Sequence, residues 1–302
     1  MKQWMRWTLF GVLGVLAVGA AAVAWGVHRS DHRLARQISQ PAYPLVLPEG
    51  ESALARGRYL FASRGCAECH GANGAGRAFI DDPKAGMYAR APNISPGGGS
   101  VVAAYTPSDW ERTLRHGIKP SGRPLLIMPS EDYNRLTDAD LGALVAYVRQ
   151  LAPAAGGPAE FRLPLPVRVL YGYGLIQDAA EKIDHALPPS QPVPEGTTVA
   201  HGRYVAQMCL GCHGEGLSGG KIPGGPPDWP PAANLTPGEG SVLPRYADAT
   251  SFRTAMRSGK RPDGSTISPV MPFESLRELN DTDLDAIRLY LQSVPPKPAG
   301  QR

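Results

Sequence analysis

Cysteine is scarce in this 302-residue chain: four in all, Cys66, Cys69, Cys209 and Cys212. All four fall into two copies of one short motif, so none remains for a disulfide or a free thiol. Basic and acidic residues nearly balance, at 31 and 27. The net charge of +4 is too weak to indicate nucleic acid as a partner. Strand-forming runs are nearly absent. No paired carboxylates stand in a readable catalytic context, and no nucleophile triad is recognisable. Gly97-Gly98-Gly99 lacks the strand-turn-helix setting and the lysine of a phosphate loop. What the chain has in excess is loop formers, 35 Gly and 31 Pro, a high content for a compact enzyme.

The motif is Cys66-Ala67-Glu68-Cys69-His70, repeated as Cys209-Leu210-Gly211-Cys212-His213. Two thiols three residues apart share one side of a helical turn. That placement suits two thioether bonds to a haem, with the adjoining histidine turned under the ring as an iron ligand. A zinc site built from two C-x-x-C pairs usually keeps the pairs within about twenty residues. Here 140 positions separate Cys69 from Cys209. Covalent attachment of two haem c groups is the reading.

From Thr8 to Val27 run 20 residues without a charge. As a helix they span about 30 Å, the hydrocarbon thickness of a bilayer. Trp4 and Trp7 flank one end and Trp25 the other, where aromatic side chains favour the interface. Lys2 and Arg6 precede the run and Arg29, Arg33 and Arg36 follow it, so basic residues do not set the orientation. Haem attachment sets it instead, because c-type attachment takes place on the oxidising, periplasmic side of an inner membrane. The alternative is a cleaved signal peptide with Ala22-Val23-Ala24 as its site. A retained single-pass anchor over 1–30 is preferred, because the run exceeds the usual length of a signal core.

The rest of the chain is a duplication. Gly57-Arg58-Tyr59 returns as Gly202-Arg203-Tyr204, and Pro92-Asn93-Ile94-Ser95-Pro96 as Ala233-Asn234-Leu235-Thr236-Pro237. Arg112-Thr113 with Arg115 matches Arg253-Thr254 with Arg257, while Asp140 and Tyr147 match Asp283 and Tyr290. These correspondences divide the chain into a lead-in over 31–49, a first module over 50–152, a Pro-rich linker over 153–194, a second module over 195–295 and a tail over 296–302. Each module is predicted all-α, with long Gly/Pro loops. One helix, 51–64 or 196–208, runs into the motif. A second starts at Thr106-Pro107 and ends at Gly117, its partner ending at Gly259. A last helix is capped by Thr137 or Asn280, with Asp140 or Asp283 three residues on as a capping-box variant. In the linker, Val167 to Ala179 is predicted to be a helix packed between the modules, with the membrane surface as the alternative contact.

His70 and His213 leave one iron face to fill. Met128 and Met271 each precede a proline and each lie 58 residues beyond the motif histidine. Equal spacing in both copies marks them as thioether ligands rather than ordinary core methionines. Asn93 and Asn234 are assigned either to haem propionates or to bracing their loop. Arg115 and Arg257 are candidates for pairing with propionates, against the plainer reading of solvated arginines near helix C-termini. His116 and His201 have no repeated partner and read as surface residues.

On these residues the chain resembles the class I cytochrome c superfamily, in a tandem dihaem form behind a single N-terminal transmembrane helix. Cys66, Cys69, His70 and Met128 carry the likeness in one copy, Cys209, Cys212, His213 and Met271 in the other. The run from Pro92 to Pro129 is similar to modules in cytochrome subunits of membrane-bound alcohol, aldehyde and gluconate dehydrogenases. Those subunits commonly hold three such modules, and this chain holds two. The resemblance implies an electron carrier rather than an enzyme, without a small-molecule substrate. Its partners would be a redox donor and acceptor: a dehydrogenase subunit, a quinol-linked complex or a terminal oxidase. The rivals are a dihaem peroxidase, which needs one iron face free for peroxide, and an obligate subunit of a larger complex.

Overall fold

The computed structural model describes residues 3–226, 228–246 and 248–302; Met1 and Lys2, placed by sequence before the apolar run, lie outside them. The first helix, α1 (Gln3–Ala35), is one helix long and apolar enough to cross a membrane. It continues past Val27 because no proline interrupts it, and its 33 residues extend about 50 Å.

In the first half, α2 (Glu51–Ser63) leads into α3 (Cys66–His70). A hairpin of β1 (Ala78–Asp82) and β2 (Met87–Arg90) follows, then α4 (Pro107–His116), α5 (Ser130–Tyr133) and α6 (Asp138–Val148). The linker adds β3 (Glu160–Arg162) and α7 (Leu165–Gly172). The second half holds α8 (Val199–Val205), a 3-10 turn over Ala206–Cys209, α9 (Leu210–His213), α10 (Ala249–Ser258), α11 (Phe273–Leu276) and α12 (Asp281–Ser293). The protein is mostly helical.

Two elements depart from expectation. First, β1, β2 and β3 form a small antiparallel sheet, in that order, where the all-α reading has only loop. Its hairpin turn is held by the Asp82 carboxylate, which accepts from the Lys84 and Ala85 amides at 3.0 Å. Second, the linker helix is not wedged between the halves. It packs on the outer end of α1, where a Cβ added at Gly172 would overlap the Gly26 carbonyl oxygen. The chain after α7 then lies on the first half, with the Ala179 amide donating to the Leu125 carbonyl at 3.0 Å.

The two halves repeat the same crossing. Gly57 of α2 presses on α6 so closely that a Cβ would overlap the Ala143 carbonyl, and Gly202 of α8 meets the Ala286 carbonyl of α12 in the same way. Only glycine lets two helix backbones approach so far. Around the first crossing Leu60, Phe61, Leu141, Leu144 and Val145 form a buried core; around the second, Val205, Leu217, Leu276, Leu284 and Ile287 do.

Helix caps explain where the elements start. Thr106 and Asp109 form a full capping box with Pro107 at the first helical position, and Gly117 closes α4 in the left-handed region at φ 65°. At α6 and α12 only half of the expected box is built. The Thr137 and Asn280 side chains accept from the Asp140 and Asp283 amides, but those two carboxylates turn away to the opposite half. Tyr59 of α2 donates to Asp283, and Tyr204 of α8 donates to Asp140, both at 2.6 Å. The halves thus face each other about a local two-fold relation, each first helix bonded to the other's last.

Candidate functional site

The first cysteine-histidine motif occupies one helical turn between two glycines, and the second runs from the end of a 3-10 turn at Cys209 through α9, with glycine only after it. Gly65 precedes α3 in the left-handed region (φ 84°), and Gly71 and Gly214 follow α3 and α9 at φ 75° and 80°. This turn brings both thiols and the imidazole to one side.

The histidines are oriented by backbone carbonyls. His70 Nδ1 lies 2.9 Å from the Pro92 carbonyl oxygen, and His213 Nδ1 lies 2.8 Å from that of Ala233. A carbonyl only accepts, so Nδ1 carries the proton and Nε2 keeps a lone pair. Burial depresses both imidazole pKa values, favouring the neutral, ligating form. Burial likewise pushes the Cys66 and Cys209 thiols up to about 12 and Cys69 to about 11, so unreacted thiols stay protonated at neutral pH.

Met128 packs, partly buried, against the core cluster that also receives Cys66, and Met271 against the one that receives Cys209. The structure therefore gathers the motif and its methionine at one core in each half.

Asn93 and Asn234 lie in the loops that present those carbonyls, and both are buried. The Asn93 amide donates to the Gly98 and Ala154 carbonyls at 3.1 and 2.9 Å while its oxygen accepts from the Ser95 amide and hydroxyl. Asn234 does the same with Glu239, Lys297 and Thr236. Both donors are taken, which leaves none for a propionate in this geometry. Arg115 is also committed: it donates to the Asn134 and Leu136 carbonyls and to Asp138 at 2.6 Å. Arg257 donates to Asp281, the counterpart of Asp138. Arg115 is buried rather than solvated, while Arg257 is exposed, as the plainer reading has it; each pairs with the first residue of the last helix.

The reading of His116 and His201 as surface residues is overturned. His116 is buried with Nδ1 2.9 Å from His185 Nδ1, and His201 is buried with Nε2 2.7 Å from Asp283. Each fills a position whose repeated counterpart differs, so duplication gave no signal for either. Sequence reasoning also missed contacts between the halves at the motifs themselves. Glu68, inside the first motif, accepts from the Ser275 amide at 2.8 Å and from its hydroxyl. Gly211, inside the second, lies against the Asp132 carboxylate. The only signal was positional, since Glu68 and Gly211 hold equivalent places, as do Ser275 and Asp132.

Two half-buried thiols, an imidazole whose Nδ1 is held by a carbonyl and a thioether packed on the same core are the kinds of donor that a covalently attached haem requires, and in each half the residues fit that donor set. The comparisons with known proteins agree. Residues 52–148 match the family model described as cytochrome c oxidase, cbb3-type, subunit III. Over those residues the first half is similar to a cytochrome c domain. The chain is 29% identical over 86% of its length to the fructose dehydrogenase cytochrome subunit of Gluconobacter japonicus, covering 56% of that protein. It is 26% identical over 83% of its length to the gluconate 2-dehydrogenase cytochrome c subunit of Pantoea cypripedii, covering 62%. A diheme cytochrome c-type protein of Cereibacter sphaeroides is 26% identical over 96% of this chain and 99% of its own length. The chain thus spans somewhat over half of these two dehydrogenase subunits and nearly all of the diheme cytochrome.

Proposed function

We propose that this chain is a membrane-anchored dihaem electron carrier with one haem c in each of two modules, 50–152 and 195–295. The observation that carries the proposal is the doubled site: two C-x-x-C-H motifs, each histidine held by a backbone carbonyl through Nδ1, each with a methionine at the same spacing in the adjoining core. Haem supplies a one-electron couple at iron. Everything else falls to the chain. Cys66 and Cys69, or Cys209 and Cys212, tether the ring. His70 with Met128, or His213 with Met271, would supply the imidazole and thioether ligands to its iron. The cores around Leu141 and Leu284 exclude water. Equivalent methionines in both halves favour a carrier over a peroxidase, because neither iron is left a face for peroxide.

In this reading α1 crosses the inner membrane with both modules on the periplasmic side. Electrons arrive from a dehydrogenase-type donor, as the relatives' names suggest, and leave to a respiratory acceptor. Redox titration with haem stoichiometry on membranes is the test. Two haems per chain, both low-spin and resistant to small ligands, support the proposal. One haem per chain, or an as-isolated high-spin species that turns over peroxide, overturns it. Co-purification in mild detergent then separates a free carrier from a fixed subunit of a dehydrogenase complex.

A further inference from the structure

The linker helix α7 ends at a depth along α1 that its position in the sequence does not suggest. The Tyr173 hydroxyl donates to the Ala22 carbonyl at 2.8 Å, and Gly172 sits against Gly26. Ala22 lies inside the uncharged run from Thr8 to Val27, on the apolar side of Trp25. Farther out along α1 the contacts between the two segments become ionic. Arg168 pairs with Asp31 at 2.8 Å, Arg36 with Asp178 at 2.6 Å, and Arg33 with Glu181. Contacts along α1 are therefore sorted by depth, apolar and aromatic at Ala22–Gly26 and charged from Asp31 onward. Nine residues separate Ala22 from Asp31, about 13 Å along the helix axis.

The surface that α7 turns away from α1 is apolar. Pro166 and Leu170 lie one helical turn apart and are exposed. Leu165 is 53% exposed and Leu175 72%, the latter just past the left-handed turn at Gly174. On α1 the exposed Trp25 and Val23 lie at the same level, and His28, Arg29 and His32 stand just beyond them. An apolar patch continuous with a membrane-crossing helix, rimmed on its outer side by basic and imidazole groups, matches the boundary between acyl chains and anionic headgroups.

We propose that α7 and the turn through Leu175 are a second membrane contact, a foot seated in the headgroup region of the bilayer that holds the first half of the chain at a set height above the surface. The inference rests on α1 being a membrane anchor. A single helix would let the rest of the chain swing about its exit point. A foot clamped to that helix through Gly26 and Gly172 removes the freedom, because the segment after it is bonded to the first half through Ala179 and Leu125.

The test uses the full haem-loaded chain in vesicles of phosphatidylethanolamine and phosphatidylglycerol, doped with a phospholipid bearing a diazirine near the top of its acyl chain. After photolysis, adducts are mapped by mass spectrometry. Adducts are expected on the Thr8–Val27 segment and on Leu170–Leu175, with none on Val46, which is 83% exposed and whose carbonyl sits against Gly142 of α6. The variant carrying Leu170→Glu and Leu175→Glu, both at exposed positions, should lose at least ten-fold of the 170–175 adduct while keeping the anchor adduct. Adducts on α1 with none at 170–175 overturn the foot and leave the anchor standing. Absence from both overturns the anchor as well. Protein–protein cross-links between copies at Leu175 in place of lipid adducts would assign the patch to a second copy and also overturn the proposal.

Discussion

The Tyr59 hydroxyl donates to the Asp283 carboxylate at 2.6 Å across the two halves, and the Asn280 amide donates to that same hydroxyl at 3.2 Å. Tyr204 repeats both contacts in reverse, to Asp140 at 2.6 Å and from the Thr137 amide at 3.3 Å. Burial and the neighbouring Asp140 raise the Tyr204 phenol to about 12, so it remains a donor throughout the physiological range. Each carboxylate gathers further partners. Arg56 binds Asp140 through two hydrogen bonds at 2.8 Å, while Asp283 takes His201 and the buried Arg64. The junction is thus two crossed, nearly equivalent locks, and it sets how the two motif helices face each other.

Replacing Tyr59 or Tyr204 with Phe removes a hydrogen bond to an ionised, largely buried carboxylate. Each change is expected to cost about 1.5–3 kcal/mol. Urea unfolding of the holoprotein measures it. If the halves unfold as one unit, both variants lower the same transition; two separate transitions with only one affected would show that the locks do not couple them.

Acid should release the locks late. Burial by itself would raise the Asp140 and Asp283 pKa values, but Arg56 at one and Arg64, Tyr59 and His201 at the other outweigh it, so both fall below the ordinary 3.8. A depressed folded-state value contributes stability above the unfolded value and loses it as pH falls through the folded one. These two groups therefore hold their full contribution down to about pH 4 and lose it below. Asp140→Asn should flatten that acid limb in a stability-against-pH series.

Met128→Ala is expected to remove the low-spin His/Met signature of the first site and lower its potential while leaving the haem attached. Met271→Ala should do the same at the second. Visible spectra and redox titration read both, and an unchanged spectrum would assign the sixth ligand elsewhere.

Changing Cys66 and Cys69 together to Ala should halve covalent haem per chain, measured by pyridine haemochrome. Retention of two would remove the first motif as an attachment point.

Gly57→Ala places a methyl against the Ala143 carbonyl and Gly202→Ala one against Ala286. Forcing these crossings apart should cost at least about 1–3 kcal/mol by overpacking. Thermal unfolding should show a lower midpoint for both, whereas Gly98→Ala, with open space around its Cβ, should match the parent.

The candidate site residues and the helices that carry them are legible in local pattern. Motif spacing, the repeated Met-Pro and the caps at Thr106, Thr137 and Asn280 are short-range signals, because a helical turn or a cap is decided within four residues. The sheet through Glu160–Arg162 was hidden, since its third strand lies 70 residues from the second and each strand alone is too short to show alternation. The final-helix aspartates looked like local caps, yet their carboxylates serve the opposite half. No spacing rule reports that, because both ends of each bond belong to separately repeated segments. The burial of His116 and His201, the seating of the linker helix on α1 and the crossed Tyr–Asp locks arise from how finished helices meet. That is settled by which backbones approach closely at Gly57, Gly202, Gly26 and Gly172, and by which charges are thereby buried and must find partners. Local pattern names a set of donor residues in each half; how the two halves are held against each other emerges only once the helices pack.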